Sequence, residues 1–182
     1  IHPDSSLNFC VTPVAGKFCS DNNLNYRVFS VVALNDSTVL VGTAGGINKT
    51  TDAKLAATTN NMRWTKFSHT NQNNPISGNF IVAMHYAASS GTIWAATWKA
   101  EGLTEFYGVS SSTDGGASWA TSLRDERVHN FTSFSNRIVA LADNGPFRSV
   151  NGGATWTLPL VIKDSETHIV LQTRAFYSGA YN

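Results

Sequence analysis

Apolar and polar positions alternate along this chain in short bursts, and the bursts recur. Residues 28–34, 80–86 and 128–134 are apolar runs rich in β-branched and aromatic side chains. After the polar links 35–37, 89–91 and 135–136, each is followed by a second apolar run, at 38–43, 92–97 and 137–142. Short runs of this composition, bounded by Asn, Asp, Ser and Gly, predict buried strands joined by tight hairpins. Third strands are expected around 47–50, 107–111 and 147–149, and fourth strands start near Trp64, Trp119 and Trp156. The pattern therefore yields three four-stranded units between about Arg27 and Leu160.

Two octapeptides punctuate the pattern. Ser112-Thr113-Asp114-Gly115-Gly116-Ala117-Ser118-Trp119 and Ser149-Val150-Asn151-Gly152-Gly153-Ala154-Thr155-Trp156 occupy the same place in successive units. Paired glycines supply the positive-φ conformations of a tight corner without a Cβ penalty. The Asp or Asn before them can bond back onto nearby backbone N–H groups, as Ser and Thr do more weakly. The closing Trp can cover the corner and pack beneath a neighbouring sheet, worth about 2–3 kcal/mol when buried. A repeated corner at a period of a few tens of residues signals a repeat architecture built from hairpins.

The octapeptides resemble the Asp-box (BNR) repeat, S/T-x-D-x-G-x-S/T-W, of sialidases, sortilin-like receptors, xyloglucanases and many secreted propellers. The first copy matches at every defined position. The second has Asn151 for Asp, which keeps the acceptor oxygen and loses the charge. A degenerate third copy begins at Thr50-Thr51-Asp52 and reaches Trp64 only after an insertion, 53–63. The resemblance implies an all-β β-propeller. It also implies a structural role, on the side away from the ligand face, for Ser112, Asp114, Gly116, Trp119, Ser149, Asn151, Gly153 and Trp156.

On that reading, residues 1–23 form an N-terminal hairpin or partial blade. Three blades follow at 24–67, 68–123 and 124–160, and 161–182 opens another, with its first strand at 167–173. Three blades and part-strands do not close a ring, since a propeller needs at least four. The ends either share a fourth blade or the chain is a fragment of a larger propeller. The absence of an initiator Met favours the fragment, the remainder then lying in a longer parent chain or a partner subunit.

Charged residues are 14% of the 182 and hydrophobic residues 42%, a balance that suits an ordered core rather than a disordered polyelectrolyte. The net charge of +1 gives no strong attraction to nucleic acid. No apolar run approaches the roughly 20 residues needed to span a bilayer. Nothing in the sequence implies a cofactor or a metal site. The five histidines are scattered without a nucleophile or a second ligand at metal-binding spacing, and read as packing or surface residues.

The only cysteines, Cys10 and Cys19, flank the N-terminal hairpin around 13–16. They are either two buried thiols or a bridge across it, and a repeat type common outside the cytoplasm favours the bridge. N-x-S/T sequons begin at Asn35, Asn48 and Asn130, with Asn35 on a turn where a glycan is compatible. The location implied is extracellular or cell-surface.

Functional residues of a propeller are expected on the loops joining second to third strands and blade to blade. The longest of the first kind, 98–106, carries Trp98, Glu101 and Glu105; Asp125 and Asp143 lie on neighbouring loops. An aromatic ring beside carboxylates suits stacking on a sugar and bonding its hydroxyls. The expected function is a non-catalytic scaffold that binds a glycan or a protein on its loop face. The alternative is part of a glycoside hydrolase, xyloglucanase-like or sialidase-like, with two of these carboxylates flanking the scissile bond.

Overall fold

The structure is a computed structural model that describes residues 10–11, 18–19, 24–57, 62–101, 103–158, 162–171 and 175–180. A two-residue ladder, β1 (Cys10–Val11) with β2 (Phe18–Cys19), opens the chain. A 3-10 turn, Leu24–Tyr26, leads into the first large sheet, β3 (Val28–Ala33), β4 (Val39–Thr43), β5 (Gly46–Thr50) and β6 (Thr65–Phe67). The second sheet is β7 (Phe80–Ala87), β8 (Thr92–Glu101), β9 (Thr104–Ser112) and β10 (Ala120–Ser122). The third is β11 (Val128–Phe134), β12 (Arg137–Ala142) and β13 (Gly145–Ser149). Each is an antiparallel meander in chain order.

Among the described residues the third sheet has these three strands and, beyond Trp156, a bridge in which Arg148 and Thr157 exchange two backbone hydrogen bonds of 2.8 Å. Within 162–171, Val170 bridges back to Lys163 across a turn capped by Asp164; the rest of the strand expected at 167–173 lies outside the described residues.

The second sheet is packed on both faces, so its central strand reads as a continuous apolar run rather than an alternating one. Ile93 and Ala95 face the first sheet with Leu40, Ile47, Ile81, Met84 and Trp119. Trp94 and Ala96 face the third with Ala83, Val128, Phe131, Ile138 and Ala140. The sheets thus stack side by side as blades, with one apolar layer between each pair.

The repeat extends to a register shift. Each first strand carries a bulge at the same depth, between Val28 and Ser30, Ile81 and Ala83, and Val128 and Asn130. The additional residues are Phe29, Val82 and His129. A bulge re-aims the residue it adds and bends the strand, which here turns the start of each blade toward the loop face.

The glycine corners lie at the opposite end. Ser112 Oγ accepts the Gly116 N–H at 2.8 Å and donates to Asp114 Oδ1 at 2.8 Å. Asp114 also accepts the Ser118 N–H at 2.9 Å and the Ser118 hydroxyl at 2.5 Å. The Ser118 hydroxyl and amide hold the Asp114 carboxyl down at about 2. Ser149, Asn151 and Thr155 reproduce the pattern around Gly153. In the degenerate copy, Asp52 still accepts the backbone N–H of Arg63, the residue before Trp64, at 3.3 Å. The insertion therefore lengthens the corner without breaking its closing bond. The two glycine corners then lean on the preceding sheet. A Cβ on Gly116 would lie 2.7 Å from the Phe67 ring, and one on Gly153 2.7 Å from the Trp94 ring. Trp119 is buried against the first sheet, and Trp156 meets Trp94 edge-on at 5.7 Å.

The three sequon asparagines differ in setting. Asn48 is 2% exposed and its Nδ2 donates to Asn25 Oδ1 at 3.2 Å. Asn35 lies on an exposed turn whose Ser37 and Thr38 amides it caps at 2.9 Å. Asn130 is half-buried on β11. The backbones of Cys10 and Cys19 stand opposite one another; their side chains lie outside the described residues.

Candidate functional site

The loop face is built from equivalent positions that the three sheets fill differently. In the first and third sheets the second and third strands are joined by two-residue turns, Ala44-Gly45 and Asp143-Asn144, closed by the pairs Thr43–Gly46 and Ala142–Gly145. In the second sheet the matching pair is Thr97–Gly108, and the ladder continues through Trp98–Tyr107, Lys99–Phe106 and Ala100–Glu105 to Glu101–Thr104. The stretch expected as a long loop at 98–106 is thus a projecting β-hairpin. Alternation along it explains the change: Trp98, Ala100, Glu105 and Tyr107 turn toward one groove, while Leu103 and Phe106 are exposed.

Arg127, at the entrance to β11, is the centre of the cluster. Its guanidinium stacks over the Tyr107 ring at 4.6 Å and the Trp98 ring at 5.3 Å. One of its terminal nitrogens reaches Glu105 Oε2 at 3.2 Å and the Tyr107 hydroxyl, which in turn donates to Glu105. The other lies 3.7 Å from Asp143 Oδ2. His129 Nε2 lies 2.7 Å from Asp143 Oδ1. Burial works against the Arg127 charge, but the Tyr107 oxygen, Asp143 and Glu105 outweigh it and hold its pKa above the ordinary value. Burial, then the Glu105 carboxylate, raises the Tyr107 phenol. The loop that presents Arg127 is held unusually: Leu123 and Asp125 have φ of 42° and 67°, and Asp125 N–H donates to Tyr107 O at 3.0 Å. Left-handed non-glycine residues of this kind cost about 1–3 kcal/mol each and concentrate at functional sites.

Beside the cluster, where the first and second sheets meet, lies a groove of about 250 Å³. Leu24, Ala44, Phe80, Trp98 and Ala100 give it apolar walls, and His69, Lys99, Glu105 and Tyr107 give it polar ones. Phe80 and Trp98 are stacked in parallel at 5.8 Å. His69 Nδ1 lies 2.9 Å from Ile76 O, leaving Nε2 to accept from Lys99 Nζ at 3.1 Å. Among the described residues, Trp98 Nε1, Glu105 Oε1 and Arg127 Nε are buried without a protein partner. An aromatic wall beside a few polar side chains in one groove is an arrangement that holds a polyhydroxylated ligand.

Of the five residues expected to meet a ligand, Trp98, Glu105 and Asp143 are brought together through Arg127. Glu101 is exposed near the hairpin tip and paired with Lys99, whose ammonium lowers its pKa through that bond. Asp125 is exposed, and its part in the cluster is its backbone. Sequence reasoning missed Arg127, Tyr107 and His129 as members. The strand register carried the missing signal: Arg127 precedes the bulge of β11 as Phe80 precedes that of β7, and His129 is the bulged residue.

No known sequence family matches the chain, and no curated protein does. Among solved structures it is similar to an ancestral GH74 enzyme, with 21% identity and a TM-score of 0.54 over 82% of this chain and 20% of that one. It is also similar, at 12% identity and a TM-score of 0.39, to the extracellular domain of a hybrid two-component system from B. thetaiotaomicron, over 83% of this chain and 24% of that one. The chain therefore spans about a fifth of the length of the GH74 enzyme. The likeness to that enzyme establishes the fold: an all-β set of propeller blades. Among the described residues no helix is long and apolar enough to cross a membrane.

Proposed function

We propose that the chain is a segment of a secreted or cell-surface Asp-box propeller whose loop face binds a glycan. The observation that carries this reading is the groove beside Arg127, where Trp98 and Phe80 supply apolar surface and His69, Lys99, Glu105 and Tyr107 supply polar side chains. In that setting a sugar ring packs along the aromatic wall while its hydroxyls meet the polar groups of His69, Lys99 and Tyr107 that line the same groove. Arg127 holds Glu105 from the adjoining blade and pairs with Asp143 of its own. The octapeptide corners are structural on this account, and the pairing of Cys10 with Cys19 in the backbone supports a disulfide across β1 and β2. Asn35 is the proposed glycosylation site, being on an exposed turn. The remaining blades belong to a longer parent chain or a partner.

A second reading is part of a glycoside hydrolase. Two carboxylates, Glu105 and Asp143, reach opposite arms of one guanidinium, and the blades are similar in fold to part of a GH74 enzyme. Glycosidases place paired carboxyls roughly 5–10 Å apart about the scissile bond. One experiment separates the readings. The full-length protein is screened on a glycan array and assayed for release of reducing ends from soluble xyloglucan and of sialic acid from sialosides. Binding without turnover supports the scaffold. Turnover abolished by Asp143→Asn or Glu105→Gln, with binding retained, replaces it with the hydrolase. Absence of both contradicts the two readings together.

A further inference from the structure

We infer that residues 175–180 dock on the outer face of the third sheet as the inner strand of a further blade, and that they bring Tyr177 into the loop-face site. The first half stands on packing alone; the second rests on the glycan reading above.

The contact between successive blades repeats at one depth. In β4, Gly42 is the first residue paired after the bulge, and a Cβ there would lie 2.7 Å from Ile81 of β7. Ala96 holds the same register in β8 and shares an apolar layer with Val128 of β11. Ile81 and Val128 are themselves equivalent, opposite Thr97 and Ala142. In β12 the position belongs to Leu141, and the residue facing it is Gly179, where a Cβ would lie 2.9 Å from Leu141 Cδ1. Small against large in the first junction becomes large against small here, so the space between blades is filled to a similar volume.

The main chain agrees with the packing. Phe176 N–H donates to Ala142 O at 3.0 Å, at the loop end of β12, and Gly179 lies one step deeper. The two contacts therefore run from the loop face inward, the direction that β7 and β11 take, although the segment forms no ladder of its own. Upstream of it, Val170 closes a local turn with Lys163. The ring of Tyr177 lies 4.6 Å from that of His129, which bonds Asp143, and it is 65% exposed. At the rim of the Arg127 cluster this exposed ring presents a free face to a ligand that extends from the groove across the cluster.

Hydrogen exchange on the full-length protein tests the docking directly. The Phe176 amide is expected to be protected many-fold over a free peptide; exchange at the free-peptide rate would overturn the inference. A size exchange gives a second readout. Gly179→Val and Leu141→Ala each lower the melting temperature, and the double variant recovers part of the combined loss; strictly additive losses would show that the two residues do not meet. Tyr177→Ala leaves Phe176 protected and weakens binding to a hit from the glycan array by about tenfold. Unchanged binding would remove Tyr177 from the site. If Phe176 is protected and no glycan binds the unmodified protein, the glycan reading fails and the docking stands.

Discussion

Gly115 and Gly152 have φ of 73° and 67°, and Gly116 and Gly153 have φ of 97° and 85°, so both members of each pair need a backbone that L side chains rarely adopt. They differ in surroundings. A Cβ on Gly152 would meet nothing within 4 Å, whereas on Gly153 it would strike the buried Trp94 ring. Gly152→Ala is expected to cost about 1–2 kcal/mol from backbone strain alone. Gly153→Ala should cost about 3 kcal/mol, because overpacking against a fixed ring is added. Urea unfolding of the two variants measures the gap, and equal losses would mean that the corner does not press on the preceding sheet. The acid behaviour of Asp114 follows from the same corner. Its folded pKa of about 2 lies below the ordinary 3.8, so the bonds contribute fully above about pH 4 and are lost as pH falls through 2. Asp114→Asn should keep the corner, as Asn151 does, and flatten the stability profile in that window when melting is followed from pH 5 to 2.

Strands and corners show how one blade is fastened to the next. Trp119 is 6% exposed and lies in the layer between the first two sheets, with its indole N–H donated to Gly116 O at 3.0 Å. Trp119→Ala is expected to destabilise by about 3–5 kcal/mol in chemical unfolding. The projecting hairpin is the opposite case, an element that serves the site more than the core. Replacing residues 100–105 by Asn-Gly keeps the Lys99–Phe106 pair and supplies a two-residue turn. The circular dichroism spectrum should be retained while glycan binding is lost with Glu105; retained binding would place the ligand elsewhere. These elements also mark what was legible in the sequence. First strands, glycine corners and inter-blade Trp residues were readable because each is a local pattern: an apolar run, a paired glycine, a ring at fixed spacing. The hairpin was read as a loop because Lys99, Glu101, Thr104 and Glu105 break the apolar run although the ladder needs only backbone. Arg127 escaped notice because its partners lie on β9 and the β12–β13 turn, 20 and 16 residues away in opposite directions. Such convergence is set by blade stacking, and no spacing within one strand reveals it.

At the scale of the molecule, corner and loop faces divide the labour. The corner face is closed by hydrogen bonds within eight residues and by rings pressed onto the preceding sheet. The loop face is where equivalent positions diverge: Ala44, Trp98 and Asp143 share one register, and Phe29, Val82 and His129 another. A scaffold held at one end leaves the other free to vary, and the groove and the Arg127 cluster occupy that end. Rings follow one another across it from Phe29 to Phe80 at 4.7 Å, to Trp98 at 5.8 Å, to His129 at 6.3 Å and to Tyr177 at 4.6 Å. Trp98 is the member common to this line, the groove and the cation stack, so its removal bears most heavily on the account. Isothermal titration of an array-identified glycan into the full-length protein and its Trp98→Ala variant, with folding checked by circular dichroism, is the most direct measurement. Saturable binding that weakens at least tenfold in the variant is the predicted result; a folded variant that binds as tightly as the parent would contradict it.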